Sequence, residues 1–145
     1  MFKFGRREFC AMEISDFLFP KYKVAYIHST ANMQEALDML EKTQYTAIPV
    51  INEEGKYVGT LSEGDLLWKM KNTSGLGFRN LDIVKVFEIK RRIHNESVSI
   101  KAHFDDMLHL AADQNFVPVV DDNQIFIGII RRKDIIEYYT RNITD

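Results

Sequence analysis

The chain has 145 residues, 46% hydrophobic and 28% charged, with a formal net charge of −2. That length suits one compact domain or two very small ones, and the apolar share lies far above the disordered range. The charge balance argues against a general nucleic-acid binder, the single cysteine, Cys10, excludes an intrachain disulfide scaffold, and no apolar run approaches a membrane span.

In chain order, an N-terminal extension (1–12) precedes a strand predicted at Val24–Ile27. Met33, Ala36, Leu37 and Leu40 then follow the i, i+3, i+4, i+7 spacing of one helix face, predicting a helix over Asn32–Thr43. Asn32 and Glu35 have the spacing of an N-cap and its reciprocal partner. Strands at Ala47–Ile51 and Tyr57–Leu61 flank the turn Asn52–Gly55, and a helix over Glu63–Lys71 closes the unit. Pro49 is expected near the start of its strand, where a missing amide donor is tolerated. Asn72–Gly77 reads as a glycine-containing polar linker, and Val84–Phe87 as a further strand or helical turn.

From about Ser97 to Tyr139 the pattern returns. Pro49 and Pro118, Gly59 and Gly128, Asp65 and Asp134 are each 69 positions apart, while the helix faces Met33–Leu40 and Phe104–Ala111 are 71 apart. The difference places a two-residue deletion in the second helix-to-strand loop, where length changes cost little. The expected division is therefore an extension (1–12), repeat one (13–71), a linker (72–82), repeat two (83–141) and a tail (142–145). The expected class is α+β, with two pseudo-symmetric βαββα repeats. Each repeat is too small for a comfortable core alone, so the sheets are expected to pack together and leave clefts lined by both halves.

The order of helix, proline-bearing apolar strand, acidic turn, strand ending at glycine, then Gly-x-x-Ser/Thr-x-x-Asp resembles the cystathionine β-synthase (CBS) domain. Two in tandem resemble a Bateman module, and the likeness covers roughly Glu13–Arg141. Lys23-Val24-Ala25, Tyr45-Thr46-Ala47-Ile48-Pro49-Val50 and Arg131-Arg132 resemble, more narrowly, the small stand-alone bacterial CBS pairs that bind cyclic di-AMP. The resemblance implies a ligand cleft formed by Lys23, Ala25, Tyr45, Thr46 and Ala47 with Ile130, Arg131, Arg132 and Asp134. It implies a second possible cleft at Ser62 and Asp65 with Ile100 and Val117, together with Val98 and Phe116. Arg131 stands where the family pattern has Ser or Thr, whereas repeat one keeps the hydroxyl at Ser62.

The residue types fit an anionic nucleotide. Arg131, Arg132, Lys133 and Lys23 would bring up to four positive charges to one rim, Tyr45 could stack on a base, and Asp134 or Asp65 could accept from ribose hydroxyls. Bland readings stand beside these: a solvated first helical turn for Arg131-Arg132-Lys133, a core-edge cover for Tyr45, and first-turn acids favoured by the helix dipole for Asp65 and Asp134. His28, His94, His103 and His109 lack metal spacing, no Walker loop or nucleophile elbow occurs, and Cys10 has no candidate base. No catalytic residue, metal or cofactor is expected.

The leading expectation is a non-enzymatic, cytoplasmic adenine-nucleotide sensor that binds cyclic di-AMP and regulates a separate partner protein, with no nucleic-acid or membrane partner and, by resemblance, as a homodimer. The alternatives are a ligand-free interaction module and a sensor of AMP, ADP or ATP.

Overall fold

A computed structural model describes residues 12–144, with side chains through 141. Cys10 and the extension before Met12 lie outside the described residues. By contact, the described chain divides into two compact units. One is Ala25–Asn95; the other joins the residues up to Val24 with those from Glu96 onward.

The Ala25–Asn95 unit holds β2 (Ile27–His28), α1 (Met33–Thr43), β3 (Ala47–Ile51), β4 (Tyr57–Ser62) and α2 (Glu63–Asn72), preceded in the chain by β1 (Phe19–Pro20) of the other unit. Its sheet order is β2-β3-β4, with β2 parallel and β4 antiparallel to β3. The first strand begins at Ile27 rather than Val24, so Val24 and Ala25 precede it. Ile27, Met33, Ala36, Leu40, Ile48, Val50, Leu61 and Leu66 form the core. Leu81, Val84, Val86 and Ile89 complete it from the segment after α2, where Val86–Glu88 is a 3-10 turn. Each fully buried aliphatic side chain contributes about 1.5–3 kcal/mol.

The other unit holds β1, β5 (Val98–Ser99), α3 (Phe104–Asp113), β6 (Phe116–Val120), β7 (Phe126–Arg131) and α4 (Arg132–Thr144). Its sheet order is β1-β7-β6-β5. Ile14, Phe17, Val98, Met107, Ala111, Val117, Val119, Ile130 and Ile135 fill its core. Helix α4 runs through most of the expected 142–145 tail.

The packing units thus divide the chain differently from the repeats. Residues 13–24 pack with repeat two, and 83–95 with repeat one. The glycines show why. Pro20 pairs with Gly128 on β7, and a Cβ at 128 would collide with the Phe19 carbonyl oxygen. In the Ala25–Asn95 unit a Cβ at Gly59 would lie 2.6 Å from Arg91 Nε. Glycine at each position lets a segment from the neighbouring repeat cross the strand closely.

Both repeats carry a register irregularity at equivalent places, Val50/Ile51 and Val119/Val120. The prolines sit at the third position of their strands, not near the start. Ile51 O accepts from Ser29 N–H, so the backbone polar groups of residues 49 and 51 face the β2 side. Strand β2 first pairs at Val50, and it does not reach the proline nitrogen. The length difference between repeats is shared by helix end and loop. Helix α1 ends on Gln44 in the left-handed region (φ 62°), whereas Gln114 after α3 is extended (φ −118°) and buried. Its amide accepts from Glu96 N–H and donates to the Glu96 and Phe116 carbonyls.

Candidate functional site

The expected site residues fall in both units, and each unit is described by itself. In the Ala25–Asn95 unit, Asn32 Oδ1 accepts from Glu35 N–H at 2.9 Å, starting α1 with one half of the expected reciprocal pair. At the far end of α1, Tyr45 is 48% exposed, and its N–H is 3.3 Å from Thr43 Oγ1. Thr46 is exposed, and its carbonyl accepts from Glu63 N–H. Ala47 is half-buried, and Ala25 packs against the core. Tyr45 borders a hollow of about 380 Å³ whose lining also includes the acidic residues Glu41 and Glu63 and no basic one, so what Tyr45 offers there is a stacking face.

The second set, Ser62 and Asp65, forms the cap of α2. Ser62 Oγ accepts from Asp65 N–H, and Asp65 Oδ2 accepts from Ser62 N–H at 2.9 Å. Asp65 Oδ1 accepts from Arg92 N–H at 3.1 Å, with the Arg92 guanidinium 3.8 Å away. Asp65 is 1% exposed, so both oxygens serve the backbone within the unit. This corrects the expectation that it is available to ribose hydroxyls. The first-turn acid reading describes it.

Beside it, Thr60 is buried and 2.7 Å from the Tyr57 hydroxyl, which donates to Asn95 O. Burial raises the Tyr57 pKa, opposed by the Thr60 hydrogen bond and the Arg91 charge. The folded state therefore holds this phenol proton more tightly than the unfolded chain does. Its contribution is complete below the unfolded phenol value of about 10 and is lost as pH rises toward the folded value. Alkaline titration of urea stability is expected to show a steeper loss above that point for the wild type than for Tyr57→Phe; equal slopes would contradict the assignment.

The other unit holds the basic residues. Arg131 ends β7, and its guanidinium grips Asp134 side-on, Nε to Oδ2 at 2.7 Å and Nη2 to Oδ1 at 3.0 Å. The guanidinium carbon lies 3.9 Å from the Phe19 ring centroid. Arg132 opens α4 but reaches to the end of α3: Nε donates to Ala111 O at 2.9 Å, and Nη2 lies 3.4 Å from Ala112 O. A cation at a helix C-terminus satisfies orphan carbonyls and the dipole. This explains a basic residue in the first turn of α4, where the dipole alone disfavours it.

Repeat one shows the contrast. Glu63 N–H donates to Thr46 O as Arg132 N–H donates to Asn115 O, but Glu63 carries the opposite charge. There Gln44 Nε2 donates to Glu41 O and helps close the end of α1.

Of the up to four cations expected at one rim, Lys23 and Lys133 are exposed, and the two arginines are already engaged within their unit. Lys23 Nζ lies 5.8 Å from the Tyr22 ring centroid. Ile130 and Val117 are 0% exposed in the core, so their side chains are not surface contacts; Ile100 is half-buried. Val98 and Phe116 are buried too. Phe19, beneath Arg131, was missed because its role depends on the β1–β7 pairing, which no local pattern signals.

Among the described residues no group of three or more His, Cys, Asp or Glu is placed to hold a metal. No described helix is long and apolar enough to cross a membrane.

Comparison with known proteins places this arrangement. Cyclic di-AMP receptor B of Bacillus subtilis is 26% identical over 134 residues, 90% of this chain and 88% of that protein. A crystal structure of CbpB in complex with c-di-AMP matches with a TM-score of 0.84 at 26% identity, covering 97% of this chain and 92% of that one. The Listeria monocytogenes CbpB protein, also in complex with c-di-AMP, gives 0.78 at 27%, covering 92% and 98%. The CBS domain family matches residues 14–72 and 86–141. With the family model covering both repeats and most of the sequence, and the strand order β2-β3-β4 repeated as β5-β6-β7, this chain belongs to the CBS-domain family and carries two CBS domains in tandem.

Proposed function

We propose that this chain is a non-enzymatic adenine-nucleotide receptor, with cyclic di-AMP as its ligand, whose occupied form has altered affinity for a separate target protein. The observation that carries the reading is the likeness, over 97% of the chain, to a protein crystallised with c-di-AMP. Local chemistry supports it: an exposed Tyr45 ring for stacking, a phosphate-matching guanidinium at Arg131, and exposed ammonium groups at Lys23 and Lys133. Lys23, Ala25, Tyr45, Thr46, Ala47, Arg131 and Arg132 are the proposed contacts, with Ile130 acting through its main chain. Regulation requires that the ligand favour one partner-binding state by about 1–3 kcal/mol. The proposed working form is a homodimer acting in the cytoplasm.

Calorimetry is expected to give a micromolar or tighter dissociation constant for cyclic di-AMP, about −8 kcal/mol. AMP, ADP, ATP and cyclic di-GMP serve as comparators. Tyr45→Ala and Arg132→Ala are each expected to weaken binding about tenfold, roughly 1.4 kcal/mol. Arg132→Ala also removes a helix-end hydrogen bond, so its melting temperature is measured alongside. Unchanged affinity in both variants would contradict the assigned residues.

The internal engagement of both arginines favours one second reading, a ligand-free interaction module. A ligand at 100 times its dissociation constant stabilises by about 2.7 kcal/mol. A flat thermal-shift response across all five nucleotides would select the interaction module.

A further inference from the structure

Arg131 and Asp134 occupy, 69 positions later, the places of Ser62 and Asp65. In repeat one those places hold a hydroxyl and a carboxylate that cap a helix through backbone N–H groups. In repeat two a guanidinium stands in place of the hydroxyl, and the carboxylate receives it on both oxygens, at 2.7 and 3.0 Å. The Phe19 ring lies against the guanidinium carbon at 3.9 Å. Two hydrogen bonds to one carboxylate fix the rotation of the group, and the ring packs against its carbon.

A guanidinium has five N–H donors. The side-on grip takes Nε–H and one Nη2 hydrogen, and it turns the edge formed by Nη1 and the other Nη2 hydrogen away from the carboxylate. That edge is a second two-donor fork, matched to a pair of phosphate oxygens.

We infer that Asp134 is a positioning residue, holding Arg131 with its outer edge set for a phosphodiester and making no contact with ribose. The inference rests on the nucleotide-receptor reading above. Its support is the double engagement of Asp134 by one guanidinium, in a pair whose side chains are only 30% and 25% exposed. The guanidinium takes one lone pair of each oxygen, and a ribose hydroxyl competing for those sites would have to break a charge-assisted bond in a partly desolvated place. Prior ordering of Arg131 also removes the entropy otherwise lost when a long side chain is immobilised on a ligand.

The test is a double-mutant cycle in the full chain: wild type, Asp134→Asn, Arg131→Ala and the double variant. Each is titrated by calorimetry with cyclic di-AMP and with its 2′-deoxy analogue. Asp134→Asn is expected to weaken cyclic di-AMP roughly three- to tenfold, as expected for losing one side chain's pre-ordering. The same factor is expected for the deoxy analogue, with no further loss in the Arg131→Ala background. Asp134→Glu should recover part of the affinity, and it replaces Asp134→Asn in the cycle if the amide variant melts below the assay temperature.

An equal Asp134→Asn penalty with and without Arg131 would overturn the inference. So would a penalty confined to the hydroxyl-bearing ligand, or tighter binding in Asp134→Asn, which would mean that the carboxylate competes with the phosphate. Failure of the wild type to bind cyclic di-AMP would instead remove the nucleotide-receptor reading, and this inference with it.

Discussion

Asp65→Ala is expected to destabilise the protein by about 3 kcal/mol, because two part-buried backbone donors, Ser62 N–H and Arg92 N–H, lose their acceptor together. The carboxylate is 1% exposed and accepts from the backbone N–H groups of Ser62 and Arg92. The first bond closes the start of α2; the second fastens the segment that supplies Val84, Val86 and Ile89 to the same core. Losing the carboxylate therefore weakens two attachments together. Asp65→Asn keeps the volume and one acceptor oxygen, and it should cost about half as much. Urea unfolding measures both. A loss below about 1 kcal/mol for Asp65→Ala, the scale of a simple exposed cap, would show that the Arg92 attachment contributes nothing.

Gly128→Ala is expected to destabilise by about 2–3 kcal/mol, at the upper end of the range for overpacking. Gly59→Ala, at the equivalent position of repeat one, should cost about 1 kcal/mol, because a flexible side chain can yield where a backbone cannot. At Gly128 the added methyl meets the Phe19 carbonyl oxygen and the Leu18 side chain. Relief there means displacing β1 from β7. At Gly59 the nearest atoms belong to the Arg91 guanidinium, a movable group whose 3.4 Å bond to Val58 O is readily surrendered. Both glycines have almost the same φ, 157° and 156°, so backbone conformation does not separate them. Equal losses in denaturant unfolding would mean that the crossing backbone at Gly128 yields as easily as the arginine. Phe19 rests on Arg131, so Gly128→Ala should also weaken cyclic di-AMP binding if the proposed arginine contact holds.

The elements themselves were legible because their signals are local. Apolar spacing marks α1 and α3, short apolar runs beside turn residues mark β3, β4, β6 and β7, and the 69-residue offset ties the two sets together. The start of the first strand was misplaced at Val24, since β2 is only two residues long and exists through its pairing with β3. Arg132 does stand in a first helical turn, where a basic residue is unusual, whereas Arg131 ends β7, and their partners from distant segments were not foreseeable. Ala111 is 21 positions from Arg132, and Phe19 is more than a hundred from Arg131. Asp65 read equally well as a first-turn acid or as a ribose contact, and only its burial and the Arg92 N–H distinguish them.

By itself, then, the order of residues determined the duplicated architecture and the kind of element at each place, because helices, strands and turns follow from short-range periodicity and backbone preference. The tertiary structure alone decided which segments crossed into which unit and what each charged side chain held. Those outcomes depend on where distant pieces of chain meet: a missing Cβ at Gly128 admits a strand from far upstream, and the last-turn carbonyls of Ala111 and Ala112 draw an arginine from the start of α4.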